Sequence, residues 1–400
     1  MNNRLASNKV WMVMMREWRQ IFSRKLYIVS MVILPLFFIG FFLTLMQDGL
    51  PKDLPAAVVD MDQSAVSRRL VRQLDAFKQT KIVAHAKDFS EARKMMQRGE
   101  IYGIYYLPEN FERDVLSFRQ PKVSFYTSNS FIVAGSMLFR DMKTISILGS
   151  AAVERELRLA KGQTMEQAMI DLQPIVVETH PLGNPQLNYA VYLCNVLLPG
   201  LLSVMIVLLT VYALGVEVKE MRSRKLLDMV DDDILSVMVG KLLPYTLTFM
   251  LMATFYDVVL YRFMGFPCHN GLPNMLLNSL LLVLASQSLG VFLYSLVPIM
   301  SISLSLSAFI TMLSFSISGF TFPVGEMPGL LQTWANVFPL RHYFLIYANN
   351  GLNGYSSYYV WARTSPCCCI CSCRYWFRLD CAMSTVTIRI NRDCVLCGCY

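Results

Sequence analysis

Residues 215–241 read Gly-Val-Glu-Val-Lys-Glu-Met-Arg-Ser-Arg-Lys-Leu-Leu-Asp-Met-Val-Asp-Asp-Asp-Ile-Leu-Ser-Val-Met-Val-Gly-Lys, a charged island between two long apolar runs. At 100° per residue, Val218, Met221, Leu226 and Met229 fall on one broad face of a helix, with Lys219, Glu220, Arg222 and Arg224 mostly elsewhere. Asp231 to Asp233 then interrupt that helix, and Asp233 is a natural N-cap for a second one beginning near Ile234. A short amphipathic helix pinned at both ends by membrane spans is suited to accept a push from a soluble partner. The plainer alternative is a solvated loop between two spans.

The apolar runs on either side set the class of protein. Of 400 residues, 54% are hydrophobic and 16% charged, against about 25% charged in a soluble domain. The chain is therefore an integral membrane protein, and because its apolar residues come in blocks it also carries at least one polar domain. The net charge of +8 is accounted for by cytoplasmic Lys and Arg, so no nucleic-acid partner is expected.

Upstream of the island, residues 8–25 hold Trp11, Met14, Met15, Trp18 and Ile21 among Arg16, Arg19, Arg24 and Lys25. That pattern predicts a basic amphipathic helix at the membrane interface. Leu26 to Met46 follow without a charge, enough for one span kinked at Pro35, and too long for a signal peptide. The basic flank places the N-terminus in the cytoplasm and residues 47–187 on the far side.

Within 47–187 the pattern is α/β. Strands are expected at 56–60, 81–86, 101–107 and 122–127. Helices are expected from Ser64 or Ser67 to Phe77, from Ser90 to Arg98, from Pro108, and from Ser130 to Lys161, with an extended segment at 174–179 and a turn at 181–185. Asp60, Asp62 and Ser64 resemble the start of a calcium loop, but the sixth position is not Gly and Val71 fills the twelfth. Capping of the following helix is the preferred role.

Four further spans are expected, at 189–214, 244–263, 274–297 and 299–320. Short links make the last three antiparallel neighbours, and span counting returns the island to the cytoplasm. Its Lys219, Arg222, Arg224, Lys225 and Lys241 agree, as does the absence of Lys and Arg from 265–272. Pro323 to Gly351 is apolar but broken by Pro323, Pro328 and Pro339, and reads as a re-entrant or interfacial helix pair.

Chemistry is sparse. The only Gly-Lys, Gly240-Lys241, lacks the rest of a phosphate-binding loop, and the four histidines are scattered without metal-ligand spacing. No cofactor, metal or catalytic residue is expected. Asp257 lies within a span, where an acid is costly and a functional candidate, with placement near the outer interface or pairing to Arg262 as the structural alternatives. The chain has a membrane path and a coupling-like loop, but no motor.

These features occur in the order found in one family. The stretches are Arg16-Glu-Trp-Arg-Gln-Ile21 before a span with Leu34-Pro35; Ala57-Val-Val-Asp-Met-Asp-Gln-Ser64 with Ser67-Arg-Arg-Leu70; Glu217 to Leu227 followed by Val239-Gly-Lys-Leu-Leu-Pro244; and Phe322-Pro323 with Phe338-Pro-Leu-Arg-His-Tyr343. Over residues 1 to about 355 the chain resembles the permease subunit of type-2 ABC exporters that carry a large extracytoplasmic domain.

The resemblance implies a multi-pass inner-membrane protein with its N-terminus in the cytoplasm, exporting a hydrophobic or amphiphilic substrate such as a drug or lipid. Energy would come from ATP with Mg on a separate ATP-binding cassette subunit. Further partners would be a second permease copy or sister permease and a periplasmic adaptor protein. Glu217, Glu220, Arg222, Lys225, Leu226 and Leu227 would form the ATPase-docking coupling helix, and Pro323, Pro339, Arg341 and His342 the re-entrant outer gate. A proton-coupled secondary transporter centred on Asp257 and a non-transporting envelope sensor are the competing readings.

Nine of the eleven cysteines lie between Cys367 and Cys399, where the family has a sixth span. Cys367, Cys368, Cys369, Cys371 and Cys373 lack paired zinc-ligand spacing. Residues 362–400 are therefore read as an aberrant tail produced by a shifted frame near position 362. Translating the gene in its other two frames from codon 362 is expected to give about 20 consecutive apolar residues. The absence of such a run in both frames would rule the shift out.

Overall fold

A computed structural model describes residues 2–47, 49–117, 119–172, 183–184, 188–231 and 233–355, with side chains from residue 9 onward. The expected extended segment at 174–179 and the cysteine-rich tail lie outside these residues. The chain divides into two compact units. One is Asp48–His180, and the other combines Met1–Gln47 with the chain from Pro181 onward.

The second of these is helical, and it begins with α1 (Asn2–Ser23), which the extended backbone of Arg24 (φ −107°, ψ 116°) separates from the first span, α2 (Lys25–Leu45). Within α2 the turn Val29–Ile33 is π-helical, directly before Leu34-Pro35. Proline cannot complete the bond to the carbonyl four residues back, and a widened turn absorbs the mismatch.

In the polar unit, β1 (Leu54–Asp60) is central, paired in parallel with both β2 (Thr80–His85) and β3 (Gly103–Leu107). Antiparallel β4 (Ser124–Thr127) completes the order β2-β1-β3-β4. Between strands run α3 (Ala65–Asp75), α4 (Phe89–Gln97) and α5 (Phe111–Leu116), followed by α6 (Ile132–Ala160) and α7 (Met165–Leu172). The buried strand Ala56-Ala-Val-Val59 separates two cores. Val58, Tyr105, Leu138 and Met142 pack on one face, and Ala57, Val59, Ala92 and Ile104 on the other.

Several helix starts differ from expectation for local reasons. Ser64 caps α3, its hydroxyl accepting from Ser67 N at 3.1 Å. Asp88, not Ser90, caps α4, while Glu91 accepts from Lys87 N, one residue before the amide that a capping box would engage. Helix α5 begins at Phe111 rather than Pro108, because Asn110 takes a left-handed φ of 59°. Asp60 accepts from the amides of Asp62 and Gln63 and from Ser67 Oγ, and Asp62 accepts from Glu112 N. The cap expected from these residues on the following helix is supplied by Ser64, while Asp60 fastens the turn before it and Asp62 the first turn of α5.

The remaining membrane helices are α8 (Tyr189–Lys219), α10 (Ile234–Phe263), α11 (Leu272–Leu296) and α12 (Met300–Ile317), with the short α9 (Ser223–Asp228) between α8 and α10. With α2 they make five helices long and apolar enough to cross a membrane among the described residues. Each begins or ends a few residues from its sequence-based bounds, most at α10, where ten residues before Pro244 are already helical. Two short helices follow, α13 (Gly329–Ala335) and α14 (Pro339–Ile346), so the broken segment does hold a helix pair.

Small residues bring these helices together. A Cβ on Gly200 of α8 would stand 2.4 Å from the Phe315 ring of α12, and one on Gly290 of α11 would stand 3.0 Å from the Val207 carbonyl of α8. Gly240 of α10 meets α1 in the same way, its Cβ position 2.8 Å from Val13 Cβ and 2.9 Å from the Val10 carbonyl. Gly240→Val is therefore expected to push α1 off α10. Limited proteolysis of the full chain should then cut within residues 1–24 faster than in the unaltered protein, with the rest of the digestion pattern unchanged.

Candidate functional site

The charged island does not form the single amphipathic helix that its periodicity suggests. Helix α8 continues to Lys219 and ends at Met221, whose φ is +51°. Arg222 N bonds to Glu217 O at 3.0 Å and Met221 N to Val218 O at 3.2 Å, the double closure of a Schellman motif. Glycine or asparagine usually fills that left-handed position, so the methionine concealed the stop. Leu226 is buried while Met221 is 83% exposed and Met229 is exposed, so the four residues do not share a buried face. The second expected break holds. Asp233 caps α10, accepting from Ser236 Oγ at 2.6 Å and Ser236 N at 3.4 Å, and the hydroxyl bond holds its carboxyl below the usual carboxylate range.

Beneath the island lies a buried group of four charges. Lys241 Nζ stands 3.0 Å from Glu17 Oε1 and 3.2 Å from Glu217 Oε1. Arg16 donates to both oxygens of Glu217, at 2.9 and 3.2 Å, and to Glu17 Oε1 at 3.1 Å. Tyr245 Oη adds a 3.4 Å bond to Glu17 Oε2. Glu17, Lys241 and Glu217 have side chains at most 6% exposed. Two cations and two carboxylates cancel, which is the condition under which such charges can stay buried.

Three elements are joined there: α1 through Arg16 and Glu17, the end of α8 through Glu217, and the start of α10 through Lys241. Outer bonds extend the clamp. Arg24, at the elbow between α1 and α2, donates to both oxygens of Glu220 at 2.7 and 2.9 Å, and Lys9 pairs with Asp231 at 2.9 Å. A small apolar core of Val13, Leu226, Val230 and Val237, with Leu227 against it, closes the remaining space between α1, α9 and α10. Helix α1 is thus packed on the bundle and bound to the island along its length.

The expected docking residues separate accordingly. Glu217 and Leu226 face inward and hold the island in place, Leu227 is half-buried, and Glu220, Arg222 and Lys225 are exposed. Arg222 also pairs with Glu220 at 3.0 Å. Lys241, counted in the sequence among the island's cytoplasmic charges, is buried. Glu17 carried no signal of its own, since nothing in a sequence pairs it with a lysine 224 residues away.

Asp257 is buried in α10 and accepts from Ser279 Oγ of α11 at 2.7 Å, whereas Arg262 is exposed. Its partner is therefore a hydroxyl on the next span, not the arginine. Nearby polar groups tie the same helices to α8 and to α14. Tyr261 Oη donates to Asn195 Oδ1 at 2.9 Å and Asn278 Nδ2 to the Tyr343 carbonyl at 3.2 Å. Pro323 is exposed and precedes the short turn Val324–Glu326, and Pro339 is the first residue of α14. His342 is buried with Nε2 2.9 Å from the Asn336 carbonyl, and Arg341 is half-buried. Tyr192 stacks on Phe320 at 4.5 Å and donates to its carbonyl, anchoring the chain that leads into this pair.

A helical bundle of membrane length with an inserted four-stranded α/β unit, and a loop of exposed charges braced by a buried ion group, defines a multi-pass membrane component. Among the described residues no group of His, Cys, Asp and Glu could hold a metal ion. The family model described as ABC-2 family transporter protein matches residues 25–376, and the chain belongs to that family. It is thus the membrane component of an ABC transporter, not itself catalytic, and works with an ATP-binding cassette subunit. The matched range begins after α1 and ends within the cysteine-rich tail. No curated protein matches the chain.

Removing Lys241 leaves Glu17 and Glu217 facing one another with Arg16 alone to offset them. Lys241→Met is expected to destabilise the bundle by about 3–5 kcal/mol, the usual cost of one partner lost from a buried pair. It should register as a lowered unfolding midpoint in detergent. The exchange Glu17→Lys with Lys241→Glu conserves the charges and should recover part of that loss. An unchanged midpoint for Lys241→Met would show that the group contributes nothing.

Proposed function

We propose that the chain is an export permease in which the 215–241 island docks on the partner ATP-binding subunit. Movement driven by ATP hydrolysis there would be passed to the spans. The observation that carries this reading is the linkage around Glu217. The island's exposed side chains, Glu220, Arg222 and Lys225, sit directly over a buried charge group shared by α8, α10 and α1. A force applied to the island therefore acts on two spans and, through Arg24, on the elbow before a third.

On this reading the island and the N-terminal helix are cytoplasmic, and the α/β unit and the pair α13 and α14 lie on the outer side. Membership of the ABC-2 family favours this over a proton-driven transporter built on Asp257, and over a sensor without transport. The mainly apolar and hydroxyl-bearing span surfaces favour a hydrophobic or amphiphilic substrate. A second permease copy or sister chain would complete the pathway, with a periplasmic adaptor as a further partner. If the tail from 362 is the product of a shifted frame, this form lacks the final span and should assemble poorly.

Co-expression of the chain with an ATP-binding cassette ATPase subunit from the same genome tests the docking. The two are expected to co-purify, and membranes holding both, but not the chain alone, should transport when ATP is supplied. Arg222→Glu with Lys225→Glu should reduce the recovered ATPase at least tenfold, roughly the effect of 1.4 kcal/mol. Unchanged recovery and transport would remove the island from the coupling role.

A further inference from the structure

Among its described residues the helical unit buries three acids, Glu17, Glu217 and Asp257, and it supplies counter-charge to only two of them. Glu17 and Glu217 each have two cations against them, from Arg16 and Lys241. Asp257 is as deeply buried, at 3% exposure, yet among the described residues no cation acts on it. The one hydrogen bond to its carboxyl comes from Ser279 Oγ, at 2.7 Å. A single hydroxyl offsets little of the cost of holding a negative charge away from water. The missing counter-charge must therefore come from solution.

The groups around Asp257 present oxygen. The Tyr343 hydroxyl of α14 lies beside the hydroxyls of Ser279 on α11 and Tyr261 on α10. Tyr261 gives its hydrogen to Asn195 Oδ1 at 2.9 Å, which leaves its own oxygen free to act as a ligand. One position before Ser279, Asn278 is 1% exposed. Its Nδ2 donates to the Tyr343 carbonyl at 3.2 Å, which sets the orientation of the amide, and its Oδ1 accepts from no donor. A buried acceptor in that condition is uncommon and points to an ion or water beside it. Carboxylate, hydroxyl and amide oxygens are the donors that hard cations take. One carboxylate balances one positive charge, so the set suits a singly charged ion and needs no cluster of acids.

We infer that Asp257, Asn278, Ser279, Tyr261 and Tyr343 form a site for one alkali-metal cation between α10, α11 and α14. The carboxylate supplies the charge, and the neutral oxygens replace part of the ion's hydration shell. A proton on Asp257 would cancel the same charge, but it would leave the neighbouring oxygens without the partner that a metal ion gives them. Because the ligands come from two spans and from the helix after Pro339, the ion is a tie. It holds α14 against α10 and α11 when bound and frees that contact when it leaves. That this tie lies toward the outer side rests on the proposed topology, whereas the ion itself does not.

The purified full chain in detergent is unfolded thermally in sodium chloride and in choline chloride at equal ionic strength and pH, choline being a cation too large for such a site. The midpoint is expected to be higher in sodium, and Asp257→Asn should remove the difference, because the amide needs no counter-ion. Equal midpoints in the two salts, or a difference that Asp257→Asn retains, would overturn the proposal. Dicyclohexylcarbodiimide, an apolar reagent that adds to buried carboxylic acids, separates metal from proton. Its adduct on Asp257, read by mass spectrometry, should form in choline chloride and fall about tenfold at a sodium concentration ten times the dissociation constant. Labelling that sodium leaves unchanged would assign the charge to a proton and overturn the metal ion. Should Asp257→Asn fail to fold, the labelling of the unaltered chain in the two salts decides by itself. No ATPase enters either measurement, so their failure would leave the docking proposal standing.

Discussion

An ion taken out of water must find its counter-charge close by, and the arrangement around Lys241 follows from that requirement. Desolvating one ammonium or carboxylate costs several kcal/mol even after relaxation, and only near contacts of opposite sign offset it. Four charges from three parts of the chain meet this condition together; no pair of them does so alone. Lys241 has two carboxylates, each carboxylate has two cations, and Arg16 keeps its remaining side in contact with water at 25% exposure. Such a group has few alternative arrangements, because shifting any one helix by a turn would part its charges from those on the other two. It fixes register where apolar packing of long helices would leave sliding cheap.

Elsewhere the bundle relies on close approach between backbones. Gly200 and Gly290 set α8 against α12 and α11, and hydroxyl contacts such as Ser203 with Ser286, 2.8 Å apart, lie along the same seams. In lipid there is little hydrophobic advantage in joining two apolar helices, so contact area and hydrogen bonding decide the packing. The bundle therefore combines broad seams of small residues in its middle with one specific electrostatic joint at the island. The polar contacts of Asp257, Asn278 and Tyr261 form a second set toward the other end, linking α10 and α11 to α8 and α14.

Much of the fold was legible because membrane spans and amphipathic strands write themselves into local composition. The five long helices, the four strands of the polar unit and the cap at Asp233 all follow from runs and periodicities within about 30 residues. What escaped was stereochemical or distant. Met221 takes a left-handed conformation that sequence preference assigns to glycine, and this moved the end of α8 and turned one predicted helix into a short one. Asn110 and Asp88 shifted helix starts by similar local choices. Glu17 and Lys241 are ordinary charges in their own neighbourhoods, and only the packing of α1 on α10 makes them a pair. Of the island's anticipated docking residues, the periodicity could not separate Glu217 and Leu226, which hold the loop, from Arg222 and Lys225, which are exposed.

The joint between α1 and the island also imposes an order on biosynthesis. Arg16 and Glu17 are synthesised about 200 residues before Glu217 and 224 before Lys241. At roughly 5–20 residues per second, α1 waits about 10–45 s for its counter-charges, long after the first span has reached the membrane. During that interval its charged side has only water, lipid headgroups or chaperones for company. Maturation of this protein thus includes a late docking step in which the earliest segment made is among the last to find its place.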